Sequence, residues 1–259
     1  MKSKVKDRGI IVKTYPYGES SLIIKCFTQE HGMISVIAKG IRQKPEASML
    51  TSLGSFDLTL YEPGEGEIYL LSEFSPRNTH DFSSRMECWA TAECALELFG
   101  QILIPVEETP HYYALLEVFL DYLEKQPQNG ILIWWRFLLR VFIYLGIPFQ
   151  TDLCSVCQAR QQELRAQVVD TGGLICEACW NEDFDPQRHE RLLPGASRIL
   201  SLLQEIGNHI QSVVVARESA QQLNRIFAAH YQVCFHNPLK LKSMAVLEQF
   251  YLKAEARQG

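Results

Sequence analysis

Between Leu22 and Tyr61, apolar and polar positions alternate with period two in three runs. Leu22, Ile24 and Cys26 interleave with Ile23, Lys25 and Phe27; Ile34, Val36 and Ala38 with Ser35, Ile37 and Lys39; Phe56, Leu58 and Leu60 with Asp57, Thr59 and Tyr61. Successive side chains of a strand point to opposite faces, so this pattern predicts strands with one buried face. Gly18, Gly32, Gly54 and the run Pro63-Gly64-Glu65-Gly66 punctuate them as turns. About five short strands fit within residues 1–80, the size of a five-stranded OB-type barrel, a fold that often binds single-stranded nucleic acid.

From about Asp81 the spacing changes to that of helices. Trp89, Ala92, Leu96, Phe99 and Leu103 form one apolar stripe; Leu116, Phe119, Leu120 and Leu123 a second; Phe137, Leu138, Val141, Phe142 and Leu145 a third. Pro105 to Pro110 and Gln126 to Gly130 separate them, and Gly146 followed by Pro148 is a helix stop signal. Further helical segments are predicted near 195–207, 217–235 and 243–253. The fold class is therefore α+β: a barrel over 1–80, a helical domain over 81–150 and 183–259, and an insertion over 151–182.

That insertion carries the most specific chemistry in the chain: Cys154-x2-Cys157, eighteen residues, then Cys176-x2-Cys179. Two such knuckles supply four thiolates to a tetrahedral Zn2+ and leave no coordination position open, so the predicted role is structural. A redox dithiol pair and a site that has lost its metal are the alternatives. Cys26, Cys88, Cys94 and Cys234 stand singly in apolar stretches and read as core thiols of a reducing compartment.

Enzyme signatures are missing. The chain has no G-x4-G-K-[ST] phosphate loop, no H-E-x-x-H, and no H-x-E with P-C-x-x-C of a zinc deaminase. His189-Glu190 reads as a surface pair, and nothing local activates a cysteine nucleophile.

Net charge is −5, but residues 1–44 hold nine bases against three acids, whereas residues 45–150 hold five against fifteen. Such asymmetry predicts an electrostatic task at the N-terminus. Lys39-Gly40-Ile41-Arg42-Gln43-Lys44 leaves a strand for a loop, where three cations can meet phosphates; Tyr15, Tyr17, Tyr61 and Tyr69 are candidates to stack bases, though each also suits the barrel surface or half-core. The apolar run Ile131 to Phe149 holds Arg136 and Arg140 near its middle, and each would cost about 2.5–3.5 kcal/mol at a bilayer centre. A buried helix with one wet edge fits better, its arginines pairing with acids such as Glu97 or Asp121, or gripping an acidic peptide. With no signal-peptide apolar region after the basic start, the chain reads as cytoplasmic.

Arg8-Gly9-Ile10-Ile11-Val12, Tyr15-Pro16-Tyr17-Gly18-Glu19-Ser20-Ser21-Leu22, Phe27-Thr28-Gln29-Glu30-His31-Gly32 and Ala38-Lys39-Gly40-Ile41-Arg42 together resemble the N-terminal signature of the bacterial RecO family. The likeness continues through Phe137 to Gly146 and the four cysteines to Pro238-Leu239-Lys240. It implies an OB barrel and a helical domain with a zinc-binding insertion. It also implies a non-enzymatic recombination mediator of the nucleoid that anneals single-stranded DNA without ATP. Its implied partners are RecR, with which it loads RecA, and the acidic C-terminal tail of the single-stranded DNA-binding protein SSB. On this resemblance DNA contact falls to Lys39 and Arg42, with Lys44, Lys13 and Lys25 beside them, and the SSB tail to Arg136 and Arg140. One departure stands out: a basic motif that reads like Lys-Ser-Arg in relatives is Lys242-Ser243-Met244 here. The alternative function is a protein-binding adaptor with structural zinc and no direct DNA contact, which the acidic middle segment keeps open.

Overall fold

The computed structural model describes residues 3–64, 66–80, 82, 84–126, 128–160, 163–181 and 185–251. It divides into two compact units, Met1–Lys125 and Gln126–Gly259.

The first unit is built on a closed five-stranded barrel: β1 (Lys4–Tyr17), β2 (Ser21–Thr28), β3 (Gly32–Ala38), β4 (Gly54–Tyr61) and β5 (Ile68–Thr79), in the order β1-β2-β3-β5-β4. β1 closes the ring by pairing antiparallel with both β2 and β4, and β3 pairs parallel with β5, the arrangement of an OB barrel. The three alternating runs are β2, β3 and β4. β1 and β5 are longer than the pattern suggests, at 14 and 12 residues. The register of β1 shifts between Ile11 and Lys13, and this bulge interrupts its alternation.

Ile11, Ile24, Cys26, Ile34, Val36, Phe56, Leu58 and Leu60 fill the interior. Each such side chain contributes about 1.5–3 kcal/mol when fully buried. Ile10 and its cross-strand partner Phe27 face away from that core yet are also buried. Phe27 lies 4.9 Å from the Phe99 ring on α1 (Met86–Phe99) and 6.2 Å from Tyr113 on α2 (Thr109–Lys125), so these helices cover that part of the barrel wall. The first apolar stripe runs past its helix: α1 ends at Phe99, leaving Leu103 94% exposed, and Trp89 is also exposed.

In the second unit α3 (Gly130–Tyr144) is buried on most sides, with Trp134 and Trp135 fully enclosed. It starts where the Tyr251 hydroxyl accepts from the Ile131 N–H. It stops as the sequence predicts. Gly146 has φ +74, its N–H meets the Ile143 carbonyl and that of Ile147 meets Phe142, a Schellman closure. α5 (Arg217–Phe235) packs alongside, with Phe227 6.4 Å from Trp135. α4 (Pro194–Leu202) passes into a 3-10 turn, and α6 (Lys242–Leu247) is short. The last predicted helix extends to 253, and its final two positions lie outside the described residues. Among the described residues no helix is long and apolar enough to cross a membrane.

Candidate metal centre and nucleic-acid interface

The cysteine module grows from a three-stranded antiparallel sheet, with β6 (Leu164–Val168) between β7 (Leu174–Cys176) and β8 (His189–Arg191). Each cysteine pair sits in a tight turn. Gln158 N–H returns to the Cys154 carbonyl at 2.9 Å, helped by Gln158 at φ +60, and Trp180 N–H returns to the Cys176 carbonyl at 2.9 Å. The Ser155 N–H and hydroxyl both donate to the Leu174 carbonyl, tying the first turn to β7.

All four Sγ atoms lie within 4.8 Å of one another. The Cys157–Cys176 separation is 3.8 Å, far beyond a disulfide. A tetrahedral ion with metal–sulfur bonds of about 2.3 Å requires sulfur–sulfur edges of about 3.8 Å, so the donor set fits such an ion. Burial works against a charged Cys154, but N–H groups of Cys157, Cys176 and Val156 outweigh it and lower its thiol to about 6. A thiolate is the form that binds metal. Cys179, facing the Cys157 and Cys176 sulfurs, is pushed the other way, to about 12. Four close sulfurs cannot all ionise without a cation among them. Cys26, Cys88 and Cys94 are buried as expected, whereas Cys234 is exposed on α5.

On the barrel, cross-strand register places most candidate DNA residues on one outer face. Lys13 lies opposite Lys25, Tyr15 opposite Ile23 and Tyr17 opposite Ser21; Ile23 and Lys25 in turn face Ile37 and Ser35. Lys39 follows Ala38 on the same face and is exposed, as are Arg42 and Lys44. Gly40, at φ +66, releases the chain from β3 into the turn Ile41–Gln43. Arg42 has a second task there: Nη1 donates to the Gly18 and Glu19 carbonyls at 3.2 Å each, and its N–H to Ser20. It therefore pins the β1–β2 turn while keeping its charge at the surface. Lys25 is half-buried, its Nζ 4.0 Å from where a Cβ on Gly100 would stand, at the C-terminal end of α1 where a cation is favoured. Lys13 Nζ lies 5.3 Å from the Tyr15 ring centre. It also helps hold down the Glu93 carboxyl, which burial raises. Tyr69 packs against the barrel core and Tyr61 is half-buried, which leaves Tyr15 and Tyr17 as the outward rings.

The arginines of α3 differ from each other. Arg136 donates to the carbonyls of Leu203 and Gln204, and Asp121 is taken by Asn78 and His80. The acid partner expected for Arg136 is thus replaced by carbonyls that follow α4, where a helix end leaves unsatisfied acceptors. Arg140 is exposed, and one turn on lie Ile143 and Tyr144, 59% and 49% exposed. His189-Glu190 is no idle surface pair. Glu190 accepts from Gln167, Gln222 and Arg225 and so fastens β8 to β6 and α5. The glutamines that reveal this role are distant in sequence, and no local pattern marks them.

A closed five-stranded barrel of OB topology, joined in one chain to a helical unit bearing four cysteines that could hold a metal ion, defines an α+β protein of two units. Family comparison makes the assignment specific. Residues 1–80 match the model for the N-terminal part of recombination protein O and residues 85–244 that for its C-terminal part. The chain belongs to the recombination protein O family. It is 22% identical to DNA repair protein RecO of Halalkalibacterium halodurans over 255 residues, 94% of each chain. Its identity to DNA repair protein RecO of Chlorobium limicola is 26%, covering 96% of this chain and 99% of that one. The protein of the same name from Bacillus cytotoxicus is 25% identical, with 94% and 96% covered.

Proposed function

We propose that this protein is a recombination mediator of DNA repair that binds and anneals single-stranded DNA without ATP. The observation that carries the reading is the outer barrel face, where Lys13, Lys39, Arg42 and Lys44 gather around exposed tyrosines in a chain that is acidic overall. Annealing needs no covalent chemistry. Cations that neutralise phosphates reduce the repulsion between strands, and base edges left uncovered then pair. Lys39 and Lys44 are the freest phosphate contacts in this account. Arg42 adds charge while one of its nitrogens holds the turn, and Lys25 contributes mainly field.

Zn2+ is the ion that best suits Cys154, Cys157, Cys176 and Cys179, and its role is to close the module rather than to react. Arg140, Ile143 and Tyr144 combine a cation with exposed apolar surface, which suits the acidic, apolar tail of SSB, and Arg136 borders them. Docking there, together with RecR, would bring the protein to coated DNA for RecA loading.

The test is annealing of two complementary fluorescent oligonucleotides by the full chain without ATP. Fast annealing that falls at least about tenfold in a Lys39→Glu/Lys44→Glu variant supports the reading, since each phosphate contact contributes through counterion release. Arg42 is left intact in this variant because its loss would also loosen the β1–β2 turn. If the wild type anneals nothing at low salt, the chain is instead an adaptor that reaches DNA only through partners.

A further inference from the structure

An OB barrel usually grips a strand between its β1–β2 and β4–β5 connections. Here the two connections differ in charge. The β1–β2 turn lies beside Lys39 and Arg42, whereas the β4–β5 connection runs Glu62-Pro63-Gly64-Glu65-Gly66-Glu67. Glu67 is exposed and directly precedes Ile68, which pairs with Ser35 at the far side of the same face. A polyanion is therefore attracted to one edge of this face and repelled from the other.

Tyr15 and Tyr17 stand on the attracting edge. They are two residues apart on β1, so they project from the same side of the strand, and they are 45% and 53% exposed. The spacing of alternate strand residues is about 6.6–6.8 Å, close to the rise of a stretched single strand's neighbouring bases. The Lys13 ammonium near the Tyr15 ring brings a phosphate contact within reach of a stacked nucleotide. Beside Tyr15 the surface is apolar, because Ile23 and Ile37 lie next across the sheet, while Tyr17 lies opposite Ser21.

We infer that Tyr15 and Tyr17 form a two-base stacking platform for single-stranded DNA, flanked by Lys13 and Lys39, and that the acidic β4–β5 connection confines the strand to this edge of the barrel. The inference rests on the DNA-binding reading above. It adds that the protein holds bases by their faces, leaving their pairing edges outward, as annealing requires.

The experiment compares binding of a fluorescent oligo-dT with that of an abasic oligomer of the same length, using full-length protein. Wild type binds oligo-dT more tightly, and Tyr15→Ala/Tyr17→Ala loses about 5- to 160-fold per tyrosine on oligo-dT, the range of aromatic stacking, with little change on the abasic strand. Tyr15→Phe/Tyr17→Phe keeps the rings and retains wild-type preference, which separates stacking from a folding defect. Equal losses on both strands, or none on either, overturn the platform while leaving phosphate-based binding intact. Failure of the wild type to bind either strand overturns the DNA-binding reading and the platform with it. In Glu62→Gln/Glu67→Gln, affinity for oligo-dT stays level or rises; a fall would contradict the one-edged path.

Discussion

Gly9 has no room for a side chain. A Cβ there would stand 2.4 Å from the Cys26 sulfur and 2.7 Å from a Leu58 methyl, both inside the barrel core. Gly9→Ala should therefore cost about 1–3 kcal/mol, as overpacked core positions do, and shift the denaturant midpoint of the first unit accordingly. Glu190 gives the second residue-scale prediction. Burial disfavours its charge, but hydrogen bonds from Gln222 and Arg225, and one from Gln167, prevail and hold its carboxyl below the ordinary range. A carboxyl depressed in the folded state contributes stability above its unfolded pKa and loses it as pH falls through the folded value. The second unit should thus weaken as pH drops below about 4.3, the unperturbed glutamate value. Glu190→Gln should be less stable than wild type at neutral pH, and its own loss on acidification should be smaller. Parallel pH profiles for the two proteins would contradict this.

At the scale of elements, the proposed zinc would be what ties the cysteine module together. Sheet β6–β7–β8 is small, with two strands of three residues each. Structural zinc contributes about 10–16 kcal/mol in small domains, so removing it with a chelator should release the module locally. Hydrogen exchange reads this directly: amides of Ser155, Cys176 and Glu177 should lose protection while those of β1–β5 keep theirs. Unchanged protection at the module would mean that backbone bonds alone hold it. Most elements were legible in the sequence because each signal was local: alternation for β2, β3 and β4, the Gly146 stop for α3, and cysteine spacing for the cluster of four sulfurs. What escaped was set by distant contacts. The bulge near Val12 hid the length of β1. Arg136 found carbonyls rather than an acid. Lys25, read as a DNA contact, lies beside the end of α1, which only tertiary packing brings to β2.

For the whole molecule, the central feature is a division of charge. A basic N-terminal segment forms the barrel face of a chain whose net charge is −5. The proposed attraction to DNA rests on a few local cations working against a repulsive background, and such binding weakens steeply with salt. The most direct test is the affinity of full-length protein for a single-stranded oligonucleotide measured across salt concentrations. Binding should be tight at low salt with a steep log–log slope, and Lys39→Glu/Lys44→Glu should reduce that slope by at least about one per lysine. A slope that the double variant leaves unchanged would contradict the account, because the strand would then be held somewhere other than this face of the barrel.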